Sequence, residues 1–178
     1  MTNTKACALK TQTEVLEKPH RVLFVCTGNT CRSPMAAALY NDMMRPREVC
    51  SACADDTVKG TALAFSAGLY AHDGEPISEG ALTVLRETNV APIPENDYTV
   101  HRARTVTNDM MEEADEVIAI SAAHAMELMM RFPEHVGKIK TLPMDVSDPY
   151  GRGIEAYRTC LMQLRYCLRL CAPSEGEL

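Results

Sequence analysis

Residues 22–39 read VLFVCTGNTCRSPMAAAL, and the fold turns on how this stretch is divided. Arg21–Val25 is a run of strand-forming apolar residues behind one arginine, which predicts a buried strand. From Arg32 the small and apolar spacing predicts a helix over about 32–44. Between them lies a short polar loop carrying Gly28 and Asn29. Gly28 permits a turn with positive φ, and Asn29 tolerates the left-handed region better than most residues. A strand-to-helix loop of this kind turns several backbone N–H groups inward. Together with the unpaired N–H groups of the helix start, they form a concave nest for an anion. Arg32 adds a planar fork that holds two oxygens of one oxyanion, which lysine would not reproduce.

Outward from this loop the pattern alternates. Residues 63–66 (LAFS) predict a second strand, and 79–88 a helix with Ser78 as its N-cap. A short helix fits 108–114, a third strand 116–120, and a helix over 122–131 capped by Ser121 and ended by Phe132-Pro133. Residues 138–142 predict a fourth strand. The loop PMDVSDPYGRG then leads to a last helix near 154–171. Strands alternating with helices imply right-handed crossovers and a parallel sheet covered on both faces. The expected fold class is α/β: three layers, α/β/α, around a four-stranded parallel sheet, with the anion loop between the first strand and first helix. In such sheets ligands bind beyond the carboxyl ends of the strands. The loops at Cys26–Arg32, Ser66–Gly68 and Asp148 should therefore meet on one rim.

With 178 residues, 46% hydrophobic and 24% charged, the chain suits one domain with its own core. Residues 21–178 read as that domain and 1–20 as a mobile extension. The net charge of -6 argues against a nucleic-acid or anionic-membrane partner. No apolar run is long enough to span a bilayer. The first twenty residues lack the apolar core of a secretory signal, so the chain reads as cytoplasmic. Eight cysteines would suggest a disulfide framework in a secreted chain, but no export signal supports one. Cys50 and Cys53 have the spacing of a redox or zinc half-site, or are loop thiols. No second pair completes a cage, so no metal is expected. Cys160, Cys167 and Cys171 share a helical stripe with Leu164 and read as buried free thiols.

A helix N-terminus and a neighbouring arginine favour the thiolate of a cysteine such as Cys26. Beneath a bound phosphate that thiolate is a nucleophile aimed at phosphorus, and Ser33 is placed to hydrogen-bond its sulfur. Preorganised N–H groups and Arg32 would stabilise the charge on the equatorial oxygens. Asp148, stiffened by Pro149, can protonate a leaving oxygen or nitrogen and then activate water against the phosphocysteine. An Asp-Pro in a loop is also an ordinary turn former. It is the conjunction of strand, Gly, Asn, Arg-Ser, helix and a convergent aspartate that points to a phosphate site.

CTGNTCRSP followed by DPYG resembles the low-molecular-weight protein-tyrosine phosphatase family, from about Arg21 to Cys171. The resemblance implies a four-stranded parallel sheet flanked by helices and hydrolysis of phosphoproteins without a metal or other cofactor. It assigns Cys26 as nucleophile, Arg32 as phosphate clamp and Asp148 as acid. Thr27, Gly28, Asn29, Thr30, Cys31 and Ser33 fall in the phosphate-binding, loop-organising motif. Ser66 and His101 resemble residues that support Asn29, although a lone histidine is also an ordinary structural residue. Cys31 matches the family's second cysteine: it would trap an oxidised Cys26 as a disulfide, or fill space at the helix start. Tyr70 and Tyr150 would wall the substrate pocket. Phosphotyrosine is the family default. Thr30 stands where tyrosine-specific members often carry a branched aliphatic residue and where protein-arginine phosphatases carry threonine, so phosphoarginine is the alternative. More distant alternatives are arsenate reduction, for which the relay cysteines between Cys53 and Cys160 are lacking, and a non-catalytic phosphopeptide-binding module. The N-terminal extension and residues 46–60 depart from the family pattern.

Overall fold

The computed structural model describes residues 18–45 and 62–171. The readings made for most of the N-terminal extension, for residues 46–60 and for Cys7, Cys50 and Cys53 lie outside the described residues. The elements follow in the order β1 (His20–Cys26), α1 (Arg32–Met44), β2 (Ala62–Gly68), α2 (Glu79–Glu87), α3 (Asn108–Glu113), β3 (Glu116–Ala119), α4 (Ala122–Arg131), β4 (Ile139–Thr141) and α5 (Ile154–Cys171). Short 3-10 turns at Tyr98–Val100 and Pro133–Lys138 join them. Helix starts lie where local chemistry puts them: Ser78, Thr107 and Ser121 each accept a backbone N–H three residues on.

All three strand pairings are parallel, and the order across the sheet is β2-β1-β3-β4. This is the expected three-layer α/β/α arrangement. β1 is central, and its side chains alternate between two cores. Val22, Phe24 and Cys26 face the cluster under α1, α2 and α5, while Leu23 and Val25 face the one under α3 and α4. The chain leaves β1 for β2 on one side and returns to β3 on the other, so the carboxyl end of β1 is the switch point. Cys26 is its last residue. On α5, Cys160, Leu164 and Cys167 are buried as the stripe requires. Cys171, the last residue of α5, is exposed, against the buried reading of the stripe: helical periodicity fixes a face, not how far along that face the core reaches.

Asn41, buried on α1, donates to the Ala64 carbonyl and accepts from the Ala64 N–H. That pair locks α1 over the edge strand β2. At the other end of the same core, Gly80 on α2 touches α5 closely. A Cβ there would lie 2.5 Å from the ring of Tyr157. Replacing a helical glycine with alanine normally gains up to about 1 kcal/mol, less near a helix start, whereas forcing a buried contact costs roughly 1–3 kcal/mol. The clash should win. Gly80→Ala is expected to lower the unfolding free energy by about 1–2 kcal/mol in urea titrations; an increase would show that Tyr157 yields freely.

Candidate active site

The loop between β1 and α1 is held from beneath by one residue. Asn29 has φ 56°, in the left-handed region that asparagine tolerates, and its side chain is fully buried. Its amide donates to Ser33 Oγ at 3.0 Å and to Ser66 Oγ at 2.9 Å, and its Oδ1 accepts the Arg104 N–H at 3.0 Å. Its own carbonyl lies 2.8 Å from His101 Nε2. A carbonyl only accepts, so that nitrogen carries the proton and the tautomer is set. Of the two residues in this loop that allow a positive φ, Asn29 adopts it and Gly28 does not. The bend is made by the residue that can also anchor it.

Cys26 Sγ lies 3.0 Å from Ser33 Oγ, and both are buried. Ser33 has one proton and two claimants, since its Oγ is also 3.1 Å from the Ala67 carbonyl. With a thiol, the S–H donates to Ser33 and Ser33 donates to Ala67. With a thiolate, the Ser33 proton can turn to sulfur. The first turn of α1 has no capping side chain and no acidic residue, so its N–H groups remain available to an anion.

Arg32 is nearly buried, and its Nη2 meets Asp148 Oδ2 at 2.5 Å across 116 residues of sequence. The same nitrogen approaches Thr27 Oγ1 at 3.4 Å. Asp148 Oδ1 accepts the Tyr150 N–H, which steadies the loop as an Asx turn. These residues surround a pocket of about 240 Å³ with Cys26 and Arg32 in its lining and Tyr70 and Tyr150 on its walls. Tyr70 is held by α4: Arg131 stacks 4.5 Å from its ring centroid, and its hydroxyl donates to Glu127. Tyr150 is 65% exposed.

Every site residue expected from the sequence lies in this pocket or directly behind it. Further contributors were not anticipated, the pocket-lining His72 among them. His124, at the start of α4, bridges Ser121 Oγ at 2.8 Å and Thr27 Oγ1 at 2.9 Å. Its position three residues after a capping serine at the end of a strand was the available signal. Arg104 and Tyr157 support the loop through Asn29 and through Cys31, whose sulfur is 3.6 Å from the Tyr157 hydroxyl. Glu75 lines the pocket, and nothing in the local sequence marks it.

Burial holds His101 and His124 below the ordinary histidine range, with Arg32 reinforcing the effect at His124. Burial likewise pushes the Cys160 thiol up to about 12, which leaves it an inert core group. For the two histidines the unfolded chain binds protons first. Their contribution is therefore intact above the unfolded value near ~6.5 and is lost as pH falls below it. Stability should decline from pH 7 to 5, and His101→Gln should flatten part of that decline in urea titrations at each pH. Asn29→Ala would orphan the Arg104 N–H and place alanine in the left-handed region. It is expected to cost about 2–4 kcal/mol in the same assay; a loss below 1 kcal/mol would remove Asn29 from its anchoring role.

The family model described as low molecular weight phosphotyrosine protein phosphatase matches residues 21–172. A protein-arginine-phosphatase of Geobacillus stearothermophilus is 35% identical over 153 residues, covering 82% of this chain and 89% of that protein. The low molecular weight protein-tyrosine-phosphatase PtpB of Staphylococcus haemolyticus is 31% identical over 160 residues, covering 83% and 94%. The crystal structure of a low molecular weight protein tyrosine phosphatase from T. tengcongensis superposes with a TM-score of 0.68 at 34% identity, covering 84% of this chain and 95% of that one. From its phosphate loop to the end of its last helix, this chain belongs to the low molecular weight phosphotyrosine protein phosphatase family.

Proposed function

We propose that this phosphatase hydrolyses phosphotyrosine in proteins through a phosphocysteine at Cys26. The observation that carries the reading is the contact of Asp148 with Arg32 at the mouth of the Cys26 pocket. It brings together a nucleophile, an oxyanion clamp and a carboxyl group, each on a different segment of the chain.

The phosphate seats in the N–H nest, with Arg32 holding two of its oxygens. Cys26 sulfur attacks phosphorus, the S–P bond forms and the bond to the leaving group breaks. Asp148 gives its proton to the departing oxygen. Water then attacks phosphorus, Asp148 takes its proton, and the S–P bond breaks to release inorganic phosphate and free sulfur. Ser33 supports the sulfur as a leaving group by the hydrogen bond that also serves the thiolate. Binding phosphate requires the Arg32–Asp148 pair to part. That step is inexpensive, because the Asp148 side chain is 50% exposed.

A second reading is favoured by Thr30. This residue is buried, lines the pocket and is polar where an aliphatic side chain would suit a phenyl ring better. A threonine hydroxyl offers hydrogen bonding to a guanidinium leaving group, and the arginine-phosphatase relative strengthens phosphoarginine as the alternative substrate. Tyr70 and Tyr150 serve either group, since a phenyl ring and a planar guanidinium both stack on aromatic walls.

Matched phosphotyrosine and phosphoarginine peptides, assayed side by side without added metal, decide between them. Preference for phosphotyrosine, little changed in Thr30→Ile, supports the first reading. Preference for phosphoarginine that Thr30→Ile reduces tenfold or more supports the second. Cys26→Ser should abolish turnover of both while retaining phosphate binding, and turnover that survives in Cys26→Ser would refute the phosphocysteine route.

A further inference from the structure

The phosphate pocket contains a carboxylate that the chemistry above does not use. Glu75 is half-buried in the pocket wall. Among the described residues, its side chain has no ion-pair or hydrogen-bonding partner, whereas Asp148 is paired to Arg32 and Glu127 to Arg131. Its backbone is fixed on both sides. His72–Glu75 is a turn closed by the Glu75 N–H on the His72 carbonyl at 3.1 Å, with Gly74 at φ 89° in the position that favours glycine. Asp73 accepts both the N–H and the hydroxyl of Thr105, at 2.7 and 2.9 Å. The Gly74 N–H donates to the Ala103 carbonyl at 2.9 Å, and the Ala103 N–H donates to the Glu75 carbonyl at 2.7 Å. The turn is thus clamped to the segment that also carries His101 and Arg104 behind the phosphate loop.

An unpaired carboxylate preorganised beside a dianion-binding nest opposes binding of phosphate alone. Among the described residues, the charged side chains lining the pocket are Arg32, Asp148 and Glu75, with the exposed His72 beside them. Once phosphate occupies Arg32 and Asp148 carries the proton it will donate, Glu75 faces the phosphate with no further cationic partner among the described residues that line the pocket. A substrate that brings its own cation relieves this repulsion, and one that brings a further anion increases it. We infer that Glu75 is a specificity-determining residue that selects phosphorylated substrates carrying a positive charge beside the phosphate. The inference rests on the phosphatase reading above and adds the charge class of its substrate. Two groups supply that chemistry: the guanidinium of a phosphoarginine itself, or a lysine or arginine neighbouring a phosphotyrosine.

The test compares wild type, Glu75→Gln and Glu75→Lys on four substrates at low salt: phosphotyrosine peptides flanked by lysine, by glutamate or by neutral residues, and a neutral-flanked phosphoarginine peptide. Wild type should favour the lysine-flanked over the glutamate-flanked peptide in kcat/KM by roughly fivefold, the scale of one partly screened ion pair. The ratio should fall towards unity in Glu75→Gln, invert in Glu75→Lys and shrink as salt is raised. If the variants instead lower only the phosphoarginine-to-phosphotyrosine ratio of the neutral peptides, the guanidinium is the selected cation. Ratios that do not respond to either variant overturn the inference. Wild-type hydrolysis of a simple aryl phosphate separates the two levels. Its presence with unresponsive ratios refutes only the role of Glu75, and its absence refutes the phosphatase reading on which that role depends.

Discussion

The site depends on Asn29 being buried in a left-handed conformation. A backbone bend of that kind is costly for most residues and unstable unless its surroundings hold it. Here a single side chain satisfies Ser33, Ser66 and the Arg104 N–H, and the carbonyl of the same residue meets His101. These partners come from α1, from β2 and from the segment between residues 101 and 104. The loop shape is consequently held from several sides before any anion arrives. Ser33 links this scaffold to the sulfur, so the network that shapes the nest also solvates Cys26.

Charge is distributed around this scaffold in two opposed layers. The floor is electropositive, built from helix N–H groups and Arg32. The mouth carries Asp148 and Glu75, and Glu127 lies behind Tyr70. The acid role proposed for Asp148 would have it move between Arg32 and a leaving group, which suits a half-exposed residue on a loop. Glu75 stands on a clamped turn, which suits a residue that reads a substrate without taking part in bond making. The walls divide similarly: Arg131 and Glu127 fix Tyr70, while Tyr150 rides on the loop of Asp148. The thiols follow the same division. Cys26 stands in the polar nest, whereas Cys160 and Cys167 are packed among apolar groups under α1 and stay protonated.

Most element positions were readable because their signals are local. The alternation of β1 between two cores is written in five consecutive apolar residues. Ser78 and Ser121 announce helices through bonds that span three residues. Within the loop the sequence left the positive φ open between Gly28 and Asn29, because both residues permit that conformation. Only burial beside Ser33 and Ser66 decides which one adopts it. The exposed Cys171 has a similar cause: periodicity assigns a helix face, but how far along that face the core reaches is a property of the packed layers.

By itself, the sequence determined the α/β pattern, the strand-loop-helix unit from Cys26 to Ser33 and the identity of the chemistry it can hold. Residue type and short spacing suffice for those features. The tertiary structure alone decided that Asp148 reaches Arg32, that His124 braces Thr27 and that Glu75 enters the pocket without an ion-pair partner among the described residues. Those relations span from 43 to 116 residues along the chain, counting from Arg32 to Glu75 at the near end. Parallel crossovers close the gaps by bringing the carboxyl ends of separate strands to one rim. Which side chains meet there is set by register and helix packing, for which no short stretch of sequence carries a signal.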